Sequence, residues 1–176
     1  MGLHAHYYPL PPERLSRFLE NAHAEGWLRE LFAFRTESRE KGEEYYVGTS
    51  WHGLDFLINP PGFTVPELAY AVRGHEFPAP DGSVRVEPHL PSYGDEPWQL
   101  FTYVTAEEVA VVAQFLSLLT RADFEERYGL RAMKNVYRSP QRREEFREEY
   151  VELALAFQGF YRDLAQKKTA LLISVG

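Results

Sequence analysis

The chain closes on Ala170-Leu171-Leu172-Ile173-Ser174-Val175, apolar at every position except Ser174 and without alternation. A strand that meets water on one face alternates apolar and polar residues, so an apolar run of this length reads as an interior strand. The other end of the chain is strand-like too. Over Leu3–Tyr8, Leu3, Ala5 and Tyr7 alternate with His4, His6 and Tyr8. Both termini are therefore expected in one sheet, and whatever lies between them must cover it.

Most of that intervening chain is helical in pattern. Pro11 and Pro12 open a helix from about Glu13 to Ala24, because proline is tolerated in a first turn. Trp27, Leu28, Leu31, Phe32 and Phe34 suggest a short second helix, followed by a charged, glycine-containing loop over Arg35–Glu44. Trp51, Leu54, Leu57 and Ile58 recur at three and four, so Thr49–Ile58 reads as a helix capped by Thr49 or Ser50. Pro66–Arg73 is ambiguous in type. Pro80-Asp81-Gly82-Ser83 signals a tight turn before a strand at Val84–Val86.

The second half is clearer. Gln99–Val104 reads as a strand, and Thr105 with Glu108 three residues on forms a capping box. The helix it opens is apolar nearly all round, which predicts the central buried helix. Ala122–Tyr128 is a further short helix. Ser139-Pro140 opens the longest one, to about Gln166, with a stripe through Phe146, Tyr150, Leu153, Phe157, Phe160, Tyr161 and Leu164. The expected class is α+β: a small mixed sheet including both terminal strands, packed against several helices with a long C-terminal one. Its 176 residues read as a single domain, 1–176.

Composition narrows function mainly by exclusion. Asp and Glu outnumber Lys and Arg, 26 to 19, for a formal charge of −7. That balance argues against general nucleic-acid binding, in which neutralised phosphates drive affinity. There is no cysteine, hence no disulfide scaffold, thiol nucleophile or thiolate zinc site. The longest apolar stretch, Val109–Leu119, is too short to cross a bilayer. With no basic segment leading into an apolar one at the N-terminus, the cytoplasm is the expected compartment.

No GxSxG elbow, Walker loop, GxGxxG or HExxH occurs, and nothing in the sequence calls for a cofactor. The candidate residues are therefore few. His4 and His6, two apart on a strand, share a face and could place two imidazoles on one metal, although no third ligand stands nearby. His23, His75 and His89 sit in helix-end or loop contexts and read as surface residues.

His52 lies three residues before Asp55 on an otherwise apolar helix. A carboxylate-oriented imidazole is a general-base arrangement, with Tyr103 as a further acid–base candidate; it is also how a half-buried structural histidine is satisfied. With no nucleophile to place beside His52, the structural reading is favoured. Aromatics make up 15% of the chain, and Trp51, His52, Tyr103 and Tyr161 form the short list for a binding pocket. Tyr7, Tyr8, Trp98 and Tyr150 are weaker members of it.

Several segments come together in the order of the YfbM-like family. They are Trp51-His52-Gly53-Leu54 followed by Phe56-Leu57-Ile58, then Tyr103-Val104-Thr105-Ala106-Glu107-Glu108-Val109, Phe160-Tyr161-Arg162, and Ala170-Leu171-Leu172-Ile173. The chain resembles that family over nearly its whole length. It departs at Thr49-Ser50, where the family has an acidic–basic pair, and at Tyr137-Arg138-Ser139-Pro140, which stretches a tyrosine–proline step. The resemblance implies a bacterial α+β domain of a family without established biochemical function.

Two functions from different classes follow. The first is a small acidic binding or interaction module with a protein partner, one version being an immunity-type protein that binds a basic toxin domain. The second is a hydrolase- or isomerase-like enzyme using His52 as acid or base on a small polar molecule.

Overall fold

The computed structural model describes residues 4–22, 24–62, 65–78, 100–128 and 146–176. Its strands are β1 (Ala5–Leu10), β2 (Tyr45–Gly48), β3 (His75–Glu76), β4 (Leu100–Val104) and β5 (Ala170–Val175), in the order β2-β1-β5-β4-β3. Between them run α1 (Pro12–Glu20), α2 (Trp27–Glu40), α3 (Trp51–Ile58), α4 (Ala106–Leu116), α5 (Arg121–Tyr128) and α6 (Arg147–Gln166), with a 3-10 turn at Pro66–Leu68.

The apolar C-terminal run is the middle strand. β5 pairs with β1 from Ala5↔Val175 to Leu10↔Ala170, and on its other side with β4. His4 and Gly176 close the two ends against each other through a pair of backbone hydrogen bonds of 2.9 and 3.1 Å. Because side chains alternate across a strand, the sheet separates two cores. Ala5, Tyr7, Leu171, Ile173 and Val104 pack with α3, α4, α5 and α6. Tyr8, Leu10, Ala170, Leu172 and Phe101 pack with α1 and α2 on the opposite face. This explains why β5 lacks alternation: it has no solvent face.

The α+β class and the placement of both terminal strands match the sequence. Every described pairing is antiparallel, whereas the sequence reading expects a mixed sheet. β2, β5 and β3 run one way and β1 and β4 the other, and the strand order alternates the two directions. β1 also starts later than expected and runs through Pro9. β2 pairs with β1 only as far as Tyr7, so Pro9 meets β5 alone and its missing N–H costs no hydrogen bond on the open side.

Two helices differ from their sequence reading. α2 continues to Glu40 across the stretch expected as a charged loop. Leu31, Phe34 and Ser38 keep one face buried, while Glu37 and Lys41 form an i,i+4 ion pair of 2.6 Å outside. A small serine on the inner face hides the periodicity. α4 is one-sided rather than central: Val109, Val112 and Leu116 are buried, yet Val111 is 39% exposed. The helix at the centre of its layer is α6, which buries Tyr150, Val151, Ala154, Phe157, Tyr161 and Leu164. The turn at Pro80–Ser83, the strand at Val84–Val86, the helix start at Ser139-Pro140, and His23, His89 and Trp98 lie outside the described residues.

Candidate functional site

The Trp51-His52-Gly53-Leu54 segment forms the first turn of α3. Trp51 is 3% exposed and Leu54 fully buried, so both are core side chains. His52 is half-buried and stacks on Trp51, ring centroids 5.3 Å apart. Gly53 has no side chain because Tyr150 of α6 occupies that space; a Cβ there would lie 2.9 Å from Tyr150 Cζ and closer still to Cε1. Glycine at this position permits a close approach, and the ring of Tyr150 makes it. Ser50 occupies the N-cap position without a side-chain capping bond, and its hydroxyl meets the Tyr150 hydroxyl.

Asp55 is held by Arg73 and Asn59 rather than by His52. Its Oδ2 receives Arg73 Nη2 at 2.5 Å and Nε at 2.7 Å, and its Oδ1 accepts from Asn59 Nδ2 at 3.2 Å. Burial and then the Arg73 charge lower the His52 pKa, with Asp55 opposing them. Nearby, the Tyr7 and Tyr161 hydroxyls donate to the carbonyls of Val72 and Ala71 at 2.8 and 2.7 Å. Tyr161 is fully buried, and burial holds its hydroxyl well above the ordinary tyrosine range. These groups anchor the segment leading into β3. Asp55, Trp51 and Tyr161 thus sit in the scaffold and present little surface to a ligand.

His4 and His6 do share a face of β1. His6 Nδ1 lies 2.6 Å from Glu44 Oε1, and the same oxygen accepts from the Tyr8 hydroxyl at 3.0 Å. Arg39 Nε stands 3.5 Å from it. His4 Nδ1 meets the Tyr46 hydroxyl. Burial, followed by the Glu44 hydrogen bond and charge, lifts the Tyr8 hydroxyl well above its ordinary range, against Arg35 and Arg39. Among the described residues no group of three His, Cys, Asp or Glu side chains is arranged to hold a metal ion.

Tyr103 leads to a place the sequence reading did not anticipate. It pairs with His75 of β3, and the two rings lie 5.6 Å apart. His75 Nε2 is 2.6 Å from Glu108 Oε1, and Tyr70 stacks on the imidazole at 3.6 Å. Glu108 is also the second half of the capping box, accepting from the Thr105 backbone N–H at 2.9 Å. Burial alone would raise the Glu108 pKa, but hydrogen bonds from His75 and Thr105 outweigh it and hold the carboxyl below its ordinary value. Burial, with the Glu108 charge, raises Tyr103.

Beside this cluster a groove of about 350 Å³ runs between the 3-10 turn and α4. Pro66, Tyr70, Val111 and Val112 make its apolar surface, and its charged lining residues are Glu67, Glu107 and Glu108. Tyr70 is 42% exposed, so its ring is open to a partner. Chemically, the groove offers carboxylates, an aromatic face and aliphatic floor to a group that carries both apolar length and positive charge.

Residues 1–174 match the family described as a domain of unknown function, DUF1877. The chain belongs to this family. Its fold is similar to that of YfbM from Escherichia coli, a protein of unknown function: TM-score 0.62 at 12% sequence identity, covering 98% of this chain and 99% of that one. Identity at that level speaks for the fold alone. No curated protein matches the chain.

Within this DUF1877 member, the two most specific segments behind the YfbM-like resemblance do different things. Trp51-His52-Gly53-Leu54 packs α3 on α6. Tyr103-Val104-Thr105-Ala106-Glu107-Glu108-Val109 builds β4, caps α4 and delivers Glu107 and Glu108 to the groove. The residues that sequence reasoning missed are His75, Glu108 and Tyr70, because only the β3–β4 register brings them beside Tyr103. Among the described residues no helix is long and apolar enough to cross a membrane.

Proposed function

We propose that this DUF1877 domain is a binding module, and that the groove between the 3-10 turn and α4 receives a cationic side chain from a basic protein partner. The observation that carries this reading is the combination of an exposed Tyr70 ring and Val111 with three carboxylates, Glu67, Glu107 and Glu108, in one groove. A lysine or arginine stem lies along aliphatic surface while its head seeks carboxylate and aromatic faces. The overall charge of −7 would steer such a partner and make association salt-dependent. A basic toxin domain, bound as an immunity-type protein binds its target, is one partner of that chemistry.

The test is an NMR titration of the labelled protein with two peptides of equal length, alternating Ala-Arg and alternating Ala-Glu. The basic peptide is expected to shift the amides of Tyr70, Glu107 and Val111, less at high salt and less in an E67Q/E107Q variant. Equal response to both peptides, or shifts spread evenly over the acidic surface, would overturn it.

A further inference from the structure

Two side chains that line the groove, Tyr70 and Glu108, share a partner outside its lining. That partner is His75, half-buried, with Nε2 2.6 Å from Glu108 Oε1 and its ring 3.6 Å from the Tyr70 ring. The backbone fixes this arrangement. Gly74 N–H donates to the Tyr70 carbonyl at 2.9 Å, closing the turn that carries the chain from Tyr70 to His75. Gly74 has a φ of +66°, and a Cβ there would lie 2.8 Å from Thr102 Oγ1 and 2.9 Å from the Tyr103 carbonyl oxygen. Glycine therefore lets β3 sit this close to β4. On α4, the Thr105 N–H holds Glu108 Oε2 while Oε1 meets His75.

The charge a ligand meets in the groove thus depends on one imidazole. With His75 neutral, Glu108 offers a full negative charge to a cation. With His75 protonated, that charge is answered 2.6 Å away, and a second cation already lies against the Tyr70 ring that would attract the ligand.

We propose that His75 is a positioning residue that couples the groove to pH, favouring a cationic side chain when neutral and opposing it when charged. This rests on the reading of the groove as a cation-binding site and adds its regulation. Histidine ordinarily changes charge between about pH 5 and 8. Among the described residues, the titratable groups that meet His75 are Tyr70 beside the 3-10 turn, Tyr103 on β4 and Glu108 on α4. Glu76, its neighbour on β3, alternates to the opposite face. Carboxyls and phenols as classes titrate near about 4.3 and about 10, outside the histidine window. Their surroundings move Glu108 further down and Tyr103 further up. Within that window the imidazole is the group in this cluster that switches.

The experiment titrates the alternating Ala-Arg peptide into the labelled protein between about pH 5.5 and 8 at constant ionic strength. Affinity is expected to fall roughly three- to tenfold from the upper end to the lower, the effect of one added charge near the bound cation. H75Q, which keeps a hydrogen-bond donor for Glu108 but takes up no proton, should bind equally at both ends. Binding and protonation are reciprocal, so bound peptide should lower the midpoint of the His75 ring titration by the same factor, roughly half to one pH unit. That measurement uses the wild-type protein alone and does not depend on a variant folding. A histidine with only a structural role would titrate unchanged with peptide present. A midpoint that stays in place while peptide binds, or an H75Q pH dependence equal to that of wild type, would overturn the role of His75 and leave the groove as a cation site. Absence of binding at every pH would remove the cation site and the role of His75 together.

Discussion

Tyr150 occupies the space that a side chain at position 53 would need, and its ring packs α6 against α3 at that glycine. Alanine is the better helix former by about 1 kcal/mol, so Gly53→Ala would stabilise α3 if nothing stood against it. Here the ring is 6% exposed and its hydroxyl meets Ser50, which leaves it little room to retreat. G53A is therefore expected to lose about 1–3 kcal/mol in urea unfolding, the usual cost of overpacking. The double variant G53A/Y150A should recover part of the G53A clash, giving a measurable coupling between the sites. A more stable G53A would show that the ring moves aside freely.

The ion pair of Asp55 and Arg73 yields an ordering rather than a single value. Asp55 is 7% exposed, while the Arg73 side chain retains 34%. Removing the arginine strands a carboxylate inside the protein, with only Asn59 left to donate to it. Removing the charge on Asp55 leaves a guanidinium that can turn toward water. R73M should thus cost about 3 kcal/mol and D55N about 1–2 kcal/mol, both by chemical unfolding at neutral pH. The reverse order would mean that the pair acts through Arg73 packing instead of through the carboxylate.

How far the sequence could be read differs from element to element. Ala170–Val175 declared itself an interior strand because burial on both faces removes alternation, and Thr105 with Glu108 declared a helix start because the capping box is local. The helical pattern stops short within α2 because its inner face carries Ser38 where an apolar residue would signal a helix. The His52–Asp55 pair was readable as a spacing, but Arg73 is 18 residues beyond Asp55 and competes for the same carboxylate. His75 meets Glu108 across 33 residues, through a two-residue strand that carries no pattern of its own. Local signals gave the elements; the partners of each charged group depended on register and on which helix lay across the sheet.

His52 makes a pH prediction with a definite sign. Burial and the Arg73 charge hold its pKa below the ordinary value of 6.5. Between the folded value and 6.5 the unfolded chain binds the proton and the folded one does not, so stability rises with pH across that window. As pH falls from 6.5 through the folded pKa this contribution is progressively lost. H52N should flatten the slope in that window without altering it above pH 7. An unchanged slope in H52N, measured by unfolding at a series of pH values, would assign the dependence to other groups.

Glu108 carries two jobs that substitution can separate. As the third residue of the capping box it receives the Thr105 N–H, a role that glutamine also performs. As a carboxylate it pairs with His75 and lines the groove. Its pKa is held below the ordinary 4.5, so the stability it contributes is present above that value and is lost as pH falls through the folded pKa. E108Q should therefore keep α4 capped, remove that acid-limb contribution, and weaken the basic peptide in the groove. T105A should do the opposite, costing about 1 kcal/mol through the lost cap while leaving the charge at position 108 in place. Unfolding at pH 7 and at pH 4, with the peptide titration on each variant, reads the two roles independently. If E108Q lost the same stability at pH 4 as at pH 7 and bound the basic peptide as well as wild type, Glu108 would be a cap and nothing more.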